Sequence, residues 1–115
     1  NYKKYFKLPK QLKDSRTGWL AYPLIIKNNA PFTRSEIQIF LEKKNIQTRV
    51  VFTGNIMRQP GFKYLKYKKF QRNYPIADDV MKNGFMIACH QGITNKMMNH
   101  LHNTITNFVA IKKRN

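Results

Sequence analysis

The stretch of sequence that decides the fold is Thr48-Arg49-Val50-Val51-Phe52-Thr53-Gly54-Asn55-Ile56-Met57-Arg58-Gln59-Pro60. Its first part is β-branched and aromatic, which favours a pleated, half-buried strand over Gln47–Phe52. Gly54-Asn55 then permits a sharp exit, and Arg58-Gln59 places a cation and an amide just beyond the strand end. Since loops at strand ends often hold the ligands of sheet-containing proteins, we expect a binding site here.

The residues before this stretch predict a strand followed by a helix. Trp19–Ile26 is apolar on both alternating faces, which is typical of a strand buried on both sides. Thr33-Arg34-Ser35-Glu36 has the pattern of a capping box at a helix start. Ile37, Phe40 and Leu41 follow at a spacing of three and four, which gives that helix one apolar stripe.

The residues after Pro60 predict two more helices around a third strand. Pro75 suits the first position of a helix that ends at Gly84, and Phe85–Cys89 reads as a strand. A last helix begins after Thr94, and its methionines are expected to pack in the core. We therefore predict an α+β fold, a small and mostly antiparallel sheet of three to four strands with helices packed on one face. Residues 1–16 would be a basic lead-in, and residues 17–115 a single α+β domain.

Composition limits what this chain can be. With 115 residues and 42% hydrophobic content, it can bury one core. No apolar run reaches the roughly 18–20 residues of a membrane span, so we expect none. A single cysteine, Cys89, excludes an internal disulfide or a multi-cysteine metal site formed by this chain alone, and it fits a reducing cytoplasm.

Charge suggests a phosphate-bearing partner without specifying which. The chain has 22 Lys and Arg against 5 Asp and Glu, a net charge of +17, and such a field attracts phosphates. The aromatic and basic alternation of residues 62–70 could stack bases while its lysines neutralise phosphates. It could equally be a solvated connector. Because the lysines are scattered and no binding motif accompanies them, a free-standing nucleic-acid-binding module is the less favoured alternative.

Self-contained catalysis and metal binding are not predicted. Cys89 and His90 are adjacent on a strand and would point to opposite faces, so they cannot act as a pair. His100 and His102 diverge on a helix. The five acidic residues each have a cap, dipole or surface explanation, and Asp78 and Asp79 are adjacent on a helix.

The best candidate cluster for binding is Arg49, Asn55, Arg58 and Gln59. Two guanidinium groups can hold a diphosphate or a carboxylate in bidentate fashion, and the two amides can bond hydroxyls or a base edge. A strand-edge salt bridge is the alternative role for Arg49. His90, at a strand end, is a further candidate, although a surface loop position explains it as well.

These residues resemble the C-terminal small domain of the DegT/DnrJ/EryC1/StrS group, the vitamin-B6-dependent sugar aminotransferases and dehydrases of fold type I. The most specific piece is Phe52-x-Gly54-Asn55-x-x-Arg58-Gln59-Pro60, which looks most like the dehydrase branch. The resemblance covers residues from about 17 to 110, with Gln91 where the family commonly has Pro. The other matching pieces are Trp19–Ile26, Phe32–Glu36, Phe40–Ile46, Tyr74–Ala77 and Gln91–Thr94.

The resemblance implies part of an enzyme that would be inactive alone. The cofactor would be pyridoxal or pyridoxamine phosphate, held mainly by a large domain that this chain lacks. That domain would also carry the Schiff-base lysine or its histidine replacement, and any iron–sulfur cluster would lie outside this chain. The whole protein would be a cytoplasmic 4-keto-6-deoxyhexose 3-dehydrase of deoxysugar and lipopolysaccharide biosynthesis, or alternatively a sugar aminotransferase.

The resemblance also assigns expected roles to individual residues. The small domain would supply a wall of the cleft that binds a nucleotide-diphosphate sugar, within a homo-oligomer. Arg49 and Arg58 would contact the diphosphate, and Asn55 and Gln59 the sugar or base hydroxyls. Phe52 would pack against the ligand.

Overall fold

Strand β4 (Gly84–Ala88) lies inside an antiparallel sheet, between β2 (Ala21–Ile26) and β3 (Thr48–Val50). Strand β1 (Phe6–Lys7) adds to the far side of β2, so the order is β1-β2-β4-β3. The computed structural model describes residues 2–64, 66 and 73–114. Within them, three α-helices accompany the sheet, and the predicted α+β class is confirmed. The helices are α1 (Arg34–Glu42), α2 (Pro75–Asn83) and α3 (Asn95–Arg114).

The local signals at the start of α1 form the predicted capping box. The backbone N–H of Glu36 donates to Thr33 Oγ1 at 3.3 Å, and the N–H of Thr33 donates to Glu36 Oε2 at 2.7 Å. Beyond the end of α1, Asn45 adopts a φ of 59°, the left-handed conformation that asparagine tolerates better than most residues. The capping box depends on hydrogen bonds within one helical turn, which is why the sequence pattern predicted it.

One apolar core lies between a face of the sheet and the helices α1 and α3. Phe85, Ile37 and Leu41 are fully buried at its centre. Aromatic edge contacts join the layers, since the Phe32 and Phe108 rings lie 5.0 Å apart. At roughly 1.5–3 kcal/mol for each large side chain buried, this core supplies the main stabilisation of the fold. Its other members are Tyr5, Phe6, Leu24, Ile26, Ile87 and Ile105.

The basic segment expected as a lead-in contributes to this core. Phe6 pairs with Ile26 at the edge of the sheet, and Tyr5 and Phe6 are 6% and 2% exposed. Lys7 points to the opposite face of the strand from Phe6 and donates to Asp79 Oδ2 of α2 at 2.8 Å. The first residues therefore belong to the folded unit, because their aromatic side chains complete the core edge.

Strand β2 differs in two respects from the strand predicted over Trp19–Ile26. It begins at Ala21, and Leu20 before it is 90% exposed. Only Leu24 and Ile26 within it are buried, so the prediction of burial on both faces is wrong for this chain. Pro23 pairs with Met86 of β4 on one side, and β1 does not reach it on the other, since β1 pairs with Ile25 and Ile26.

Two further expectations need correction or fall outside the structure. Met97 and Met98 of α3 are 55% and 50% exposed, so the methionine end of that helix is not core in this chain. The aromatic and basic alternation is described only at residues 62–64 and 66, and the rest of it lies outside the described residues. None of the described helices has the length and apolar character to cross a membrane.

Candidate functional site

The loop after β3, residues 52–59, begins with an unusual backbone conformation. Strand β3 ends at Val50 rather than at the predicted Phe52, and Phe52 has a φ of 45°. A positive φ is rare for a bulky residue without a local hydrogen-bonding side chain, and such residues concentrate at functional sites. The Phe52 side chain is 81% exposed. The loop therefore presents an aromatic ring to its surroundings.

Glycine is required two residues later, where the loop lies against α2. Gly54 has a φ of 63°, and a Cβ there would lie 2.4 Å from Met81 Cβ and 2.6 Å from Met81 Cα. Those distances are far below van der Waals contact. The absence of a side chain at Gly54 thus allows the loop backbone to approach the helix backbone closely.

Asp78 of α2 binds two of the predicted site residues. Asn55 Nδ2 donates to Asp78 Oδ1 at 2.7 Å, while Arg58 Nε and Nη2 donate to Oδ1 and Oδ2 at 3.1 and 3.0 Å. The hydrogen bond from Arg58 and then that from Asn55 lower the pKa of Asp78 below its ordinary value. The same carboxylate raises the pKa of Arg58. The guanidinium of Arg58 is thus already matched by an anion.

The side-chain oxygen of Asn55 and the side-chain nitrogen of Gln59 form hydrogen bonds within the loop. Asn55 is 3% exposed, and its Oδ1 accepts a 3.0 Å hydrogen bond from the N–H of Met57, which caps the short helix Ile56–Arg58. Gln59 Nε2 donates to the Thr53 carbonyl at 2.9 Å, which joins the two ends of the loop. Both predicted amides therefore have partners in the fold.

Arg49 and Phe52 share a hollow on the face of the sheet opposite the core. Its volume is about 560 Å³, and Trp19, Leu20 and Met86 also line it. Arg49 lies opposite Met86 in the strand pairing and is exposed. The lining residues include no aspartate, glutamate or lysine, so Arg49 is the charged group in a hollow that is mostly apolar apart from Thr17 and Gln47.

His90 lies in a different depression from Arg49 and Phe52. Its Nδ1 accepts a 3.1 Å hydrogen bond from the N–H of Gly92, which shapes the turn before α3. It lines a groove of about 320 Å³ together with Ile46, Met97 and His100. The structure thus brings Arg49 together with Phe52, and Asn55 together with Arg58, but it places His90 elsewhere.

Sequence reasoning missed two residues that organise this region. Asp78 was interpreted only through a cap, dipole or surface role, and the sequence does not mark it as the partner of Asn55, because the burial of Asn55 is seen only in the structure. Arg34 of α1 donates through Nη1 to the carbonyls of Met81 and Gly84 at 2.6 and 3.3 Å. Since these carbonyls close the C-terminal end of α2, Arg34 fixes that helix beside the loop.

Comparison with known proteins identifies the family. The sequence matches the DegT/DnrJ/EryC1/StrS aminotransferase family over residues 2–106. The chain belongs to this family. The resemblance drawn from residues 17 to 110 is therefore confirmed and extends to the first strand. Three relatives each contain a region that matches more than four fifths of this chain.

The family relatives include two 3-dehydratases. The chain is 34% identical over 103 residues to dTDP-4-dehydro-2,6-dideoxy-D-glucose 3-dehydratase of Saccharopolyspora spinosa, a match that covers 90% of this chain and 22% of the relative. It is 27% identical to lipopolysaccharide biosynthesis protein RfbH of Salmonella typhimurium, over 93% of this chain and 24% of the relative. It is also 27% identical to GDP-4-keto-6-deoxy-D-mannose 3-dehydratase of Yersinia pseudotuberculosis, over 83% and 24%.

Solved structures of the family share the fold. GDP-4-keto-6-deoxymannose-3-dehydratase (ColD) with bound GDP-perosamine superposes with a TM-score of 0.75 at 24% identity, covering 87% of this chain and 25% of ColD. A DegT DnrJ EryC1 StrS aminotransferase from Brucella abortus gives 0.74 at 15% identity, covering 93% and 27%. The chain thus spans about a quarter of the length of the family members that it matches.

The hollow does not offer the usual groups of a cofactor site. Pyridoxal phosphate is commonly bound through a lysine amine, with a charged partner for the ring nitrogen. The hollow offers Arg49 but no lysine or acid, and the nearby Asp78 and Asp79 are bound to Arg58 and Lys7. No group of three metal-ligating side chains occurs among the residues that the structure describes.

Proposed function

We propose that this chain is the C-terminal domain of a nucleotide-sugar 3-dehydratase that depends on pyridoxal or pyridoxamine phosphate. The observation that carries the proposal is the family match together with two curated relatives that are 3-dehydratases. Because those relatives are about four times as long as the matched region, the cofactor and its reactive lysine or histidine belong to the rest of the protein. The alternative, sugar aminotransferase, remains the second candidate, since the family description names aminotransferases.

The domain would contribute one wall of the substrate cleft through the hollow that Arg49 and Phe52 share. Arg49 offers five N–H donors in a planar fork, which suits a diphosphate. The exposed Phe52 ring and the apolar side chains of Trp19 and Met86 offer surface for a base or a deoxysugar face. The substrate class that fits is a nucleotide-diphosphate 4-keto-6-deoxyhexose.

We assign different roles to the other predicted substrate contacts. We assign Asn55 and Gln59 to shaping the loop, because their amides are engaged within it or with Asp78. Arg58, whose side chain is 58% exposed, could add a contact only while sharing its charge with Asp78. His90 is assigned outside this wall.

The protein would act in the cytoplasm as a homo-oligomer.

The test uses the full-length protein encoded by the gene. Arg49→Gln should raise the KM for the nucleotide sugar about ten- to hundred-fold, the equivalent of one or two charge-assisted hydrogen bonds. Phe52→Ala should raise it also. Arg114→Gln, at the exposed end of α3, is the matched control and should leave the KM unchanged. Equal KM values for the Arg49 and Arg114 variants would refute the cleft assignment.

Product analysis separates the two candidate reactions. Loss of the 3-hydroxyl from a 4-keto-6-deoxyhexose nucleotide, seen by mass spectrometry, would support dehydration. Transfer of an amino group to the sugar from an amino acid donor would support the aminotransferase. Salt-dependent binding of an oligonucleotide, with neither reaction, would instead favour the nucleic-acid module.

A further inference from the structure

The exposed Phe52 needs an external restraint to keep its backbone conformation. Its φ of 45° is unfavourable for a bulky residue, and its side chain makes little contact, being 81% exposed. A strained residue of this kind persists only where its surroundings determine the backbone on both sides. On the preceding side, β3 pairs with β4 as far as Val50, opposite Phe85. On the following side, the N–H of Gly54 donates to the Val51 carbonyl at 3.0 Å and closes a turn around Phe52, and the rest of the loop must hold that turn in place.

Residues 53–59 supply that restraint through their attachment to α2. Gly54 lies against the Met81 backbone, and the Gln59 amide joins the far end of the loop back to Thr53. The attachment between these two points is the Asp78 carboxylate, which accepts three hydrogen bonds from Asn55 and Arg58. The Asp78 carboxylate thus connects α2 to Asn55 and to Arg58 at the same time.

The environment of Asn55 indicates that the hydrogen bonds to Asp78 help to determine the backbone conformation of the loop. Its side chain is 3% exposed and bonds Asp78 through Nδ2 and the Met57 N–H through Oδ1. An unpaired amide at this burial would be costly, so the turn at Met57 depends on a partner for Nδ2. Loss of the Asp78 acceptor would release both the amide and the short helix that it caps.

We infer that Asp78 is a positioning residue that fixes loop 52–59 on α2 and so presents Phe52 to the substrate. The fixing of the loop stands on its own, whereas the presentation of Phe52 to the substrate rests on the proposed function. That function takes Phe52 and Arg49 as the residues that contact the substrate. Asp78 itself touches no substrate in this scheme. Its carboxylate is committed to Asn55 and Arg58, and its effect is transmitted through the loop backbone.

The neighbouring Asp79 provides a matched control. It lies on the same helix and is also hydrogen-bonded, but its partners are Lys7 of β1 at 2.8 Å and Asn83 at 2.7 Å. Replacing Asp79 removes the same charge from the same helix without touching the loop. A general effect of charge or of helix stability would therefore appear equally in both variants.

The first experiment measures backbone mobility of the 115-residue chain by ¹⁵N relaxation. Wild type and Asp79→Ala should show order parameters near 0.85 over residues 53–57, and Asp78→Ala, which removes the acceptor oxygens, values below about 0.6 there, with the strands unchanged. If Asp78→Ala does not fold, Arg58→Gln removes two of the three bonds at an exposed position and should give the same local loss. Wild-type order parameters in the folded variant would overturn the inference.

A second experiment separates this inference from the proposed function. In the full-length enzyme, Asp78→Ala should raise the KM for the nucleotide sugar at least several-fold, whereas Asp79→Ala should not. A raised KM for Arg49→Gln with an unchanged KM for Asp78→Ala would overturn the positioning role and leave the proposed cleft intact. A mobile loop in Asp78→Ala, with no KM effect from Arg49→Gln or Phe52→Ala, would instead refute the proposed cleft.

Discussion

Replacing Gly54 with alanine should destabilise the domain strongly, because two separate costs add at one position. Alanine at a φ of 63° is disfavoured by about 1–2 kcal/mol relative to ordinary backbone. The new Cβ would also meet Met81 Cβ at 2.4 Å and Met81 Cα at 2.6 Å. One of those atoms is backbone, so a rotamer change cannot relieve the clash, and overpacking of this kind costs about 1–3 kcal/mol.

The expected loss for Gly54→Ala is therefore roughly 2–5 kcal/mol, a large part of the stability of a small domain. Urea denaturation followed by far-ultraviolet circular dichroism measures it, and the midpoint should fall by about 1–3 M. Gly61→Ala is the control, since a Cβ there meets nothing within 4 Å, and it should be neutral or slightly stabilising. Equal midpoints for the two variants would refute the close contact between loop and helix.

Two further predictions concern the start of α1. Thr33→Ala removes the side-chain half of the capping box and should lower the free energy of unfolding by about 1 kcal/mol, measured by urea denaturation; no loss would contradict the cap. Glu36 has its pKa lowered to about 2 by its hydrogen bonds from Lys112 and Thr33. Since the ordinary pKa is 4.5, this stabilisation is complete above pH 4.5 and is lost as the pH falls toward 2. In Glu36→Gln, the melting temperature should fall less than in wild type as the pH is lowered from 4.5 toward 2. An equal fall in both proteins would argue against the ion pair.

Local signals in the sequence were sufficient for the helices. The capping box at Thr33, Pro75 at the first turn of α2 and the left-handed Asn45 each depend on residues within one helical turn. Strand β4 was predicted to within one residue for a similar reason, since its apolar run follows directly after α2 at Gly84. Such features depend on short-range hydrogen bonding and hydrophobic periodicity, which a single sequence displays.

Long-range pairings could not be read in the same way. The sequence gives no local sign that Phe6 pairs with Ile26, so a core strand was interpreted as a lead-in. Asp78 lies 23 positions from Asn55 and 20 from Arg58, and each residue has a plausible local role of its own. The sequence therefore indicated this loop as a candidate site, while the hydrogen bonds that Asn55 and Arg58 donate to Asp78 required the structure.

The exposed apolar groups have a related explanation. Leu20 was expected to be buried because leucine in a strand-like run usually is. In this chain it is 90% exposed and borders the hollow beside Arg49. The described structure shows only the burial that this chain provides, and the chain spans about a quarter of the length of the relatives it matches.

The most direct test of the account is to read the gene upstream of the codon for Asn1. The account predicts a continuous reading frame about three times as long as this chain, with a lysine or histidine at the cofactor position. Histidine there would support dehydration, and lysine would support transamination. A start codon immediately before Asn1 would contradict the account, because the chain would then have no cofactor domain to complete the cleft.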